Sequence, residues 1–485
     1  MDLSRLNEAQ KDALIIEQQA IIVEHEAKIV LLEKTIIDLQ ALVAQLQDTI
    51  KELQTRLAAD SHNSNQPPSS NGFRKPPKPK SLREKSGKRS GGQPGNPGKT
   101  LVRVDNPDHV VTHAPPSICD ECSATLPEPT IGETRQVFDV PMIRYEVTEH
   151  QVFQTQCQCG KLHRGSFPKD VSGPVQYGPR VLATAVYLTN QHMMPLQRTT
   201  EVIDDLFALP ISESTVVAAC IKAEDRLGPT VDAIAASFQT APVLHADETG
   251  CNINGSLHWM HILVTEFVTW IGVHKRRGAE AMNAFNILPT FTGTLVHDGW
   301  EPYRALACVH ALCNAHHLRE LVARFEDCQA WAGRMIELLR RACHEVNQAT
   351  DGLLSEERRQ WYRAEYDTIL CEGERDHPRV PSSRKRGRTG QSKATNLLGR
   401  LRKYTDDVLR FISDPAVPFT NNLAEQAVRM PKVKQKISGG FRTQAGAKNF
   451  CAIRSYIATM RKQGMNVFST LTSAFQGNVP QPHFR

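Results

Sequence analysis

Two apolar runs in this 485-residue chain end in acids: residues 241–249, APVLHADET, carry Asp247 and Glu248, and residues 293–299, GTLVHDG, carry Asp298. Both read as β-strands. Between them lie two further strand-like runs, HWMHILVT and TWIGVHK, and a helix-like GAEAMNAFNIL; ALACVHALC reads as a fifth strand. Three antiparallel strands, a helix and parallel additions bring the ends of the first and fourth strands side by side, which sets Asp247 near Asp298. Carboxylates held so close repel unless a divalent cation neutralises them. An all-oxygen donor set calls for a hard ion, of which Mg²⁺ fits best and Mn²⁺ is a substitute. A two-metal phosphoryl-transfer site needs a third acid, and FTNNLAEQAVRMPKVKQK offers one. There Asn421 or Asn422 caps a helix, Glu425 falls in its first turn, and Arg429 follows one turn later on the same face. Glu425 is the last acid in the chain. Its bland alternative is a surface ion pair with Arg429, worth about 0–1 kcal/mol.

A second set of ligand-type residues lies upstream. Cys119-x2-Cys122 and Cys157-x-Cys159 form two knuckles, separated by alternating stretches around RQVFDV and RYEVTEHQVFQTQ. Two thiolate knuckles joined by a hairpin describe a zinc-ribbon-like module, in which structural Zn²⁺ supplies folding energy that a small core lacks. The second knuckle is one residue short, so His163 or His113 stands as a substitute ligand. The other eight Cys have no paired spacing and read as small core residues. Cys313-x2-His316 lacks a second pair and reads as packing near the acids, with DNA or metal contact as the alternative.

The elements around these residues divide the chain. Ile15, Ile22, Ile29, Ile36, Val43, Ile50 and Leu57 recur every seven residues, and Leu32, Leu39, Leu46 and Leu53 sit three places later. That seam predicts a parallel coiled-coil dimerisation helix over residues 1–60. Residues 61–105 turn to Ser, Asn, Pro, Gly and Lys and read as a disordered basic tether. The zinc-ribbon-like module takes residues 106–170. Residues 171–240 are helical, and the joint ALPISES, with Ser212 as N-cap, has helix-turn-helix spacing, a joint that helical bundles also use. The strands and acids fall in residues 241–313 and 416–475, with helices over 314–415 between them and a tail at 476–485. The fold class is thus multidomain α+β.

Charge names the partner. The formal net charge is +6, yet residues 74–103 carry ten Lys or Arg against one acid, residues 379–403 carry nine against none, and no acid follows Glu425. Clustered cations of this kind release counterions from a polyanion, which points to nucleic acid. Arg429, Lys432, Lys434, Lys436, Arg442 and Lys448 form a candidate track for DNA phosphates. A hydrophobic fraction of 40% and a charged fraction of 23% argue against wholesale disorder. No window approaches ~18 consecutive apolar residues and the N-terminus lacks an export signal, so the expected compartment is the cytoplasm, with reduced thiols.

HADET, VHDGW, CNAHHLREL, NNLAEQAVR and SGGFRTQAGAKNF, in that order behind a coiled coil, a SHNSNQPPSSN…GGQPGNPG tether and two cysteine knuckles, carry a family likeness. The chain resembles the large transposase of the insertion sequence sixty-six family over essentially its whole length. The resemblance implies an RNase H-like α/β core with a DDE triad, carried here by Asp247, Asp298 and Glu425, and a mostly helical insertion before the glutamate. It implies a bacterial, nucleoid-associated enzyme that binds the terminal inverted repeats of a mobile element, with small accessory proteins as partners. On that pattern Asp247 is chosen over Glu248, since strand alternation sends adjacent side chains to opposite faces. Two Mg²⁺ ions, roughly 3.5–4 Å apart, then activate water and a DNA 3′ hydroxyl for in-line attack. Asp247 serves both metals, Asp298 one, and Glu425 the other. His297 faces away if the strand persists, which favours a core or supporting role over catalysis, and Trp300 and Tyr303 are core residues by default, with stacking on a splayed base as the alternative. The rival readings are an inactive DNA-binding regulator and a nuclease that does not join strands.

Overall fold

The computed structural model describes residues 8–57, 101–141, 143–380 and 390–484. Most of the tether, residues 61–100, and part of the second basic block, residues 381–389, lie outside them. Two compact units emerge: Met1–Lys80, Ala315–Arg341 and Trp361–Lys403 form one, and Ser81–Asn314, Ala342–Gln360 and Tyr404–Arg485 form the other.

The second unit holds the sheet. After α1 (Glu8–Leu57), a short hairpin of β1 (Gln154–Gln156) and β2 (Leu162–Arg164) precedes three helices, α2 (Pro179–Val186), α3 (Leu196–Phe207) and α4 (Glu213–Ser237). Then come β3 (Val243–Ile253), β4 (Ser256–Val264), β5 (Thr269–His274), α5 (Ala279–Phe285), β6 (Thr294–His297) and β7 (Val309–Leu312). The strand order is β5-β4-β3-β6-β7, with β3, β4 and β5 antiparallel and β6 and β7 parallel to β3. The acid-bearing strand β3 runs on to Ile253 rather than ending at its carboxylates. Asn254 and Gly255 then turn it into β4, both at positive φ of 48° and 77°, the backbone that a two-residue hairpin demands.

The chain continues through α6 (Asn314–Glu326), α7 (Ala330–Gln348), α8 (Glu356–Asp376), α9 (Lys393–Lys403) and α10 (Thr405–Leu409) to α11 (Asn422–Ser438), α12 (Gln444–Lys462) and α13 (Val467–Phe475). The sheet is covered on both faces, so its strands are buried in continuous runs. On one, Cys251, Ile253, Met260, Ile262 and Val264 pack against Ala424 of α11 and Ala447, Phe450 and Cys451 of α12. On the other, Leu244, Ala246 and Leu263 meet Ile234 and Phe238 from the α4 end, Met282 and Tyr303. The edge strand β5 is closed by α12 side chains: Thr269 N–H donates to Thr459 Oγ1 at 3.0 Å and Ile271 N–H to Ser455 Oγ at 2.8 Å. An unpaired edge invites other strands, and these hydroxyls occupy it.

Helices α2 to α4 do not close a core of their own. Ala183, Val186, Ile203, Val216, Leu227 and Val231 share one cluster with Ile453, Tyr456 and Met460 of α12 and Leu471 and Phe475 of α13. Ser212 caps α4 as its position implies, accepting from Thr215 N–H at 3.2 Å. The residues around RQVFDV form no strand, because Val137 and Val147 are exposed and have no ladder beside them.

In the first unit, the helices of Ala315–Arg341 and Trp361–Lys403 bury Leu321, Trp331, Met335, Tyr362, Tyr366, Leu398 and Leu401. Tyr366 Oη donates to the Leu401 carbonyl at 3.1 Å, and a Cβ at Gly373 would sit 2.7 Å from Leu398 Cδ2, so α8 and α9 approach closely there. Helix α1 spans 50 residues, and Ile15, Ile22, Ile29, Ile36, Val43 and Ile50 of its seam are all exposed.

Candidate active site

Registry brings the first two acids together. His245 pairs with Val296, the last pairing between β3 and β6, so the same offset carried two residues on sets Asp247 level with Asp298. Asp247 therefore lies where β3 parts from β6 while still paired to β4, opposite Ile262. Asp298 follows the final residue of β6, and its Oδ1 accepts from Trp300 N–H at 2.9 Å across a turn in which Gly299 has φ +90°. Asp247 Oδ1 accepts from Glu248 N–H at 2.8 Å.

The third acid arrives on α11. Asn421 precedes that helix without capping it; its side chain reaches β3 instead. Asn421 Nδ2 donates to the Ala246 carbonyl at 2.8 Å, and its Oδ1 lies 2.8 Å from His245 Nδ1. Because the amide oxygen can only accept, His245 carries its proton on Nδ1. At its other end the helix stops at Gly439 (φ +71°), and Phe441 N–H donates to the Asn252 carbonyl at 2.9 Å. Helix and strand thus run side by side in the same direction. Four residues of helix rise about 6 Å and two residues of strand about 6.6 Å, so fixing Asn421 beside His245 brings Glu425 level with Asp247. Cys313, at the end of β7, completes the joint: its Sγ accepts from Asn421 N–H at 3.2 Å and donates to Glu425 Oε1 at 3.8 Å.

The electrostatics record the convergence. Burial first, then the charges of Glu248, Asp298 and Glu425, push Asp247 from its ordinary 3.8 up to about 8. Burial lowers His245 to about 4 against the opposing bond from Asn421, so its ring is neutral. Glu248 belongs to the other face. It pairs with His261 across the ladder, accepts from Tyr303 Oη, and forms an ion pair with Arg277. The Arg277 guanidinium sits 4.1 Å from the Trp300 ring centre and 4.8 Å from that of Trp259. Burial raises both Glu248 and Tyr303, keeping the phenol a donor. Tyr303 is therefore a core residue, and half-buried Trp300 packs against its ring, centroids 5.5 Å apart, within the loop of Asp298.

The basic track divides by face. On a helix of about 100° per residue, Glu425, Arg429, Lys432 and Lys436 share one stripe, while Lys434 lies about 180° from Glu425. Arg429 and Lys436 are exposed, as are Arg442 and Lys448 beyond the helix. Lys432 donates to the Gly250 carbonyl at 3.4 Å and feels the Asp247 charge, although burial is the main influence and lowers its pKa. Lys434 faces Cys220 of α4, and burial lowers its pKa as well.

The cysteine knuckles form locally. Cys119 N–H donates to the Ala124 carbonyl at 2.9 Å, and Cys157 N–H to the Lys161 carbonyl at 2.8 Å within the β1–β2 turn. Amides of Cys122 and Cys159 hydrogen-bond to the Cys119 and Cys157 thiols and lower their pKa values. The two pairs do not meet: among the described residues no three of these thiols gather, since no sheet spans the interval between the knuckles. His316 falls in the first turn of α6.

Sequence reasoning passed over His245 and Asn421 as site builders. Their signal, a buried-type His two places before an acid and an Asn four places before another, has no meaning until the helix is laid on the strand.

Among curated proteins none matches the chain. Residues 8–101 match a family of unknown function. Residues 174–449 match the model of the transposase IS66 family, a span that holds the sheet, all three acids and α11. The chain belongs to the IS66 family of transposases.

Proposed function

We propose that this chain is a DDE-type DNA transposase with an RNase H-like core, which binds the terminal inverted repeats of its element and carries out Mg²⁺-dependent strand cleavage and strand transfer. The observation that carries the reading is the register that sets half-buried Asp247, Asp298 and Glu425 level with one another, so that the charges of the other two act on Asp247. The donor set fits the ion. Three carboxylates offer only hard oxygen ligands, and burial followed by neighbouring carboxylates raises the Asp247 pKa, a cost that a bound cation would relieve.

When bound, Mg²⁺ supplies charge neutralisation at the scissile phosphate and a lowered pKa for the attacking water or 3′ hydroxyl. Asp247, which feels the charges of both other acids, would be the shared ligand. Asp298 keeps one carboxylate rotamer through its bond from Trp300 N–H. Glu425 is held by the Asn421 joint and by the Cys313 thiol. Arg429, Lys432 and Lys436 lie along the same stripe as Glu425 and would lead the phosphate backbone toward the acids, with Arg442 and Lys448 extending the contact. Lys434 faces away from this path. Amide bonds favour thiolate at Cys119 and Cys157, but because the Cys119–Cys122 and Cys157–Cys159 pairs do not meet, one Zn²⁺ held by all four does not fit this arrangement. Pairing of two element ends would follow from homodimerisation through α1, and small accessory proteins of the same element are further partners.

The test is incubation of the purified protein with labelled element ends, Mg²⁺ and a target plasmid. Joined products are expected. Hydrolysed ends without joining would mean a nuclease, and binding without either reaction would mean a regulator.

A further inference from the structure

Behind Asp298 lies a chain of hydrogen bonds in which one carbonyl dictates every proton. His310, on β7, places Nε2 3.3 Å from the Leu306 carbonyl. A carbonyl only accepts, so His310 carries its proton on Nε2 and presents Nδ1 as an acceptor. That Nδ1 lies 3.1 Å from Nε2 of His297, the last residue of β6. His297 therefore carries its proton on Nε2 and presents Nδ1 as an acceptor in turn. Gly299 N–H donates to it at 3.1 Å. A doubly protonated ring at either position would break the sequence, because it has no acceptor. His297 is completely buried, and burial, followed by the Arg304 charge, holds both histidines below the ordinary imidazole range.

The bond to Gly299 matters because of what the turn carries. His297, Asp298, Gly299 and Trp300 form two interleaved side-chain turns: His297 binds the amide two residues on, and so does Asp298. Gly299 sits at φ +90°, a backbone that β-strand continuation does not supply. Two rings stacked edge to face, centroids 5.2 Å apart, thus brace the backbone that aims the Asp298 carboxylate.

We propose that His297 and His310 form a tautomer-locked positioning pair, which sets the Asp298 turn for metal binding by presenting an acceptor, not a donor, to Gly299 N–H. This inference rests on the proposed role of Asp298.

Amide isosteres test it, because Asn offers its oxygen where the ring holds Nδ1 and Gln offers its amide where the ring holds Nε2. His297→Asn keeps the acceptor for Gly299, and His310→Asn keeps the acceptor that locks His297. Both are expected to retain the Mn²⁺-induced rise in Tm and the Mg²⁺ dependence of end cleavage. His297→Gln and His310→Gln lose those acceptors. Each is expected to need roughly 10- to 100-fold more metal for the same Tm rise and for half-maximal cleavage. A packing role predicts the reverse order, since Gln is nearer to His in size, so equal losses or the reverse order would overturn the proposal. If the Gln variants do not fold, ¹⁵N-histidine spectra of the full wild-type chain decide: both rings must be protonated on Nε2, and a proton on Nδ1 of either refutes the lock. A wild-type protein that shows the metal-induced Tm rise, abolished by Asp298→Asn, yet cleaves no DNA would refute the transposase chemistry and leave the positioning pair standing. Cleavage without the Asn–Gln pattern would do the opposite.

Discussion

At Asp247 burial and three neighbouring carboxylates all favour the protonated form, and this has a consequence that needs no DNA. The folded protein keeps a proton up to about pH 8 that the unfolded chain releases near 3.8. The stability contributed by that proton is complete below the unfolded value and declines as pH rises through this window. Calorimetry of the metal-free protein should therefore show Tm falling between those limits, Asp247→Asn should flatten the fall, and Mg²⁺ should raise Tm most at the alkaline end. A wild-type Tm that stays level would mean a solvated carboxylate. Asn421 makes a second residue-scale prediction. Asn421→Ala leaves the Ala246 carbonyl and His245 Nδ1–H without their partner, and each loss costs about 1–3 kcal/mol, measurable by urea unfolding. The three candidate acids stand out in the sequence as apolar runs ending in carboxylates and as a helix start, and the register sets them level. The Asn421–His245 joint was not legible there, because it spans 176 residues of sequence and replaces the capping role that local rules assign to that Asn.

Helix α11 couples the acids to the basic surface, and its periodicity separates residues that the sequence presents as one run. Arg429→Gln and Lys436→Gln should each weaken binding of element-end DNA and reduce the slope of log affinity against log salt by about 1. Lys434→Gln should leave the slope unchanged, since that side chain faces α4; an equal effect would mean that DNA wraps both sides of the helix. The α3–α4 pair tells a related story. Its spacing suits a DNA-reading motif, yet Ile203, Val216, Ala219 and Leu227 are spent on a core shared with α12 and α13, while Leu206, Val217 and Ile221 stay exposed among acids Glu201, Asp204, Asp205 and Glu213 and bases Arg198 and Lys222. The strands were readable as apolar runs bounded by acids and turn residues, since β3 and β4 are buried on both faces. The length of β3 was not, since polar and small residues past Asp247 hide a strand that is sustained by β4 and, at its end, by Phe441.

For the whole molecule, the two compact units and the long α1 raise the question of assembly. Every described seam residue of α1 is exposed in the single chain, so removal of residues 1–60 should convert a dimer into a monomer in light scattering after size exclusion. Persistence of the dimer would place the interface elsewhere. The cysteine knuckles show where sequence reading stops at this scale: each pair forms by local turn geometry, whereas their meeting depends on a span that builds no sheet of its own. The central claim, that acids from β3, the end of β6 and α11 make one metal site, is tested most directly by crystals of the full chain soaked in Mn²⁺. Anomalous density bounded by Asp247, Asp298 and Glu425, and absent from Asp247→Asn crystals, is the expected result. Mn²⁺ bound elsewhere while these three side chains stay apart would contradict it.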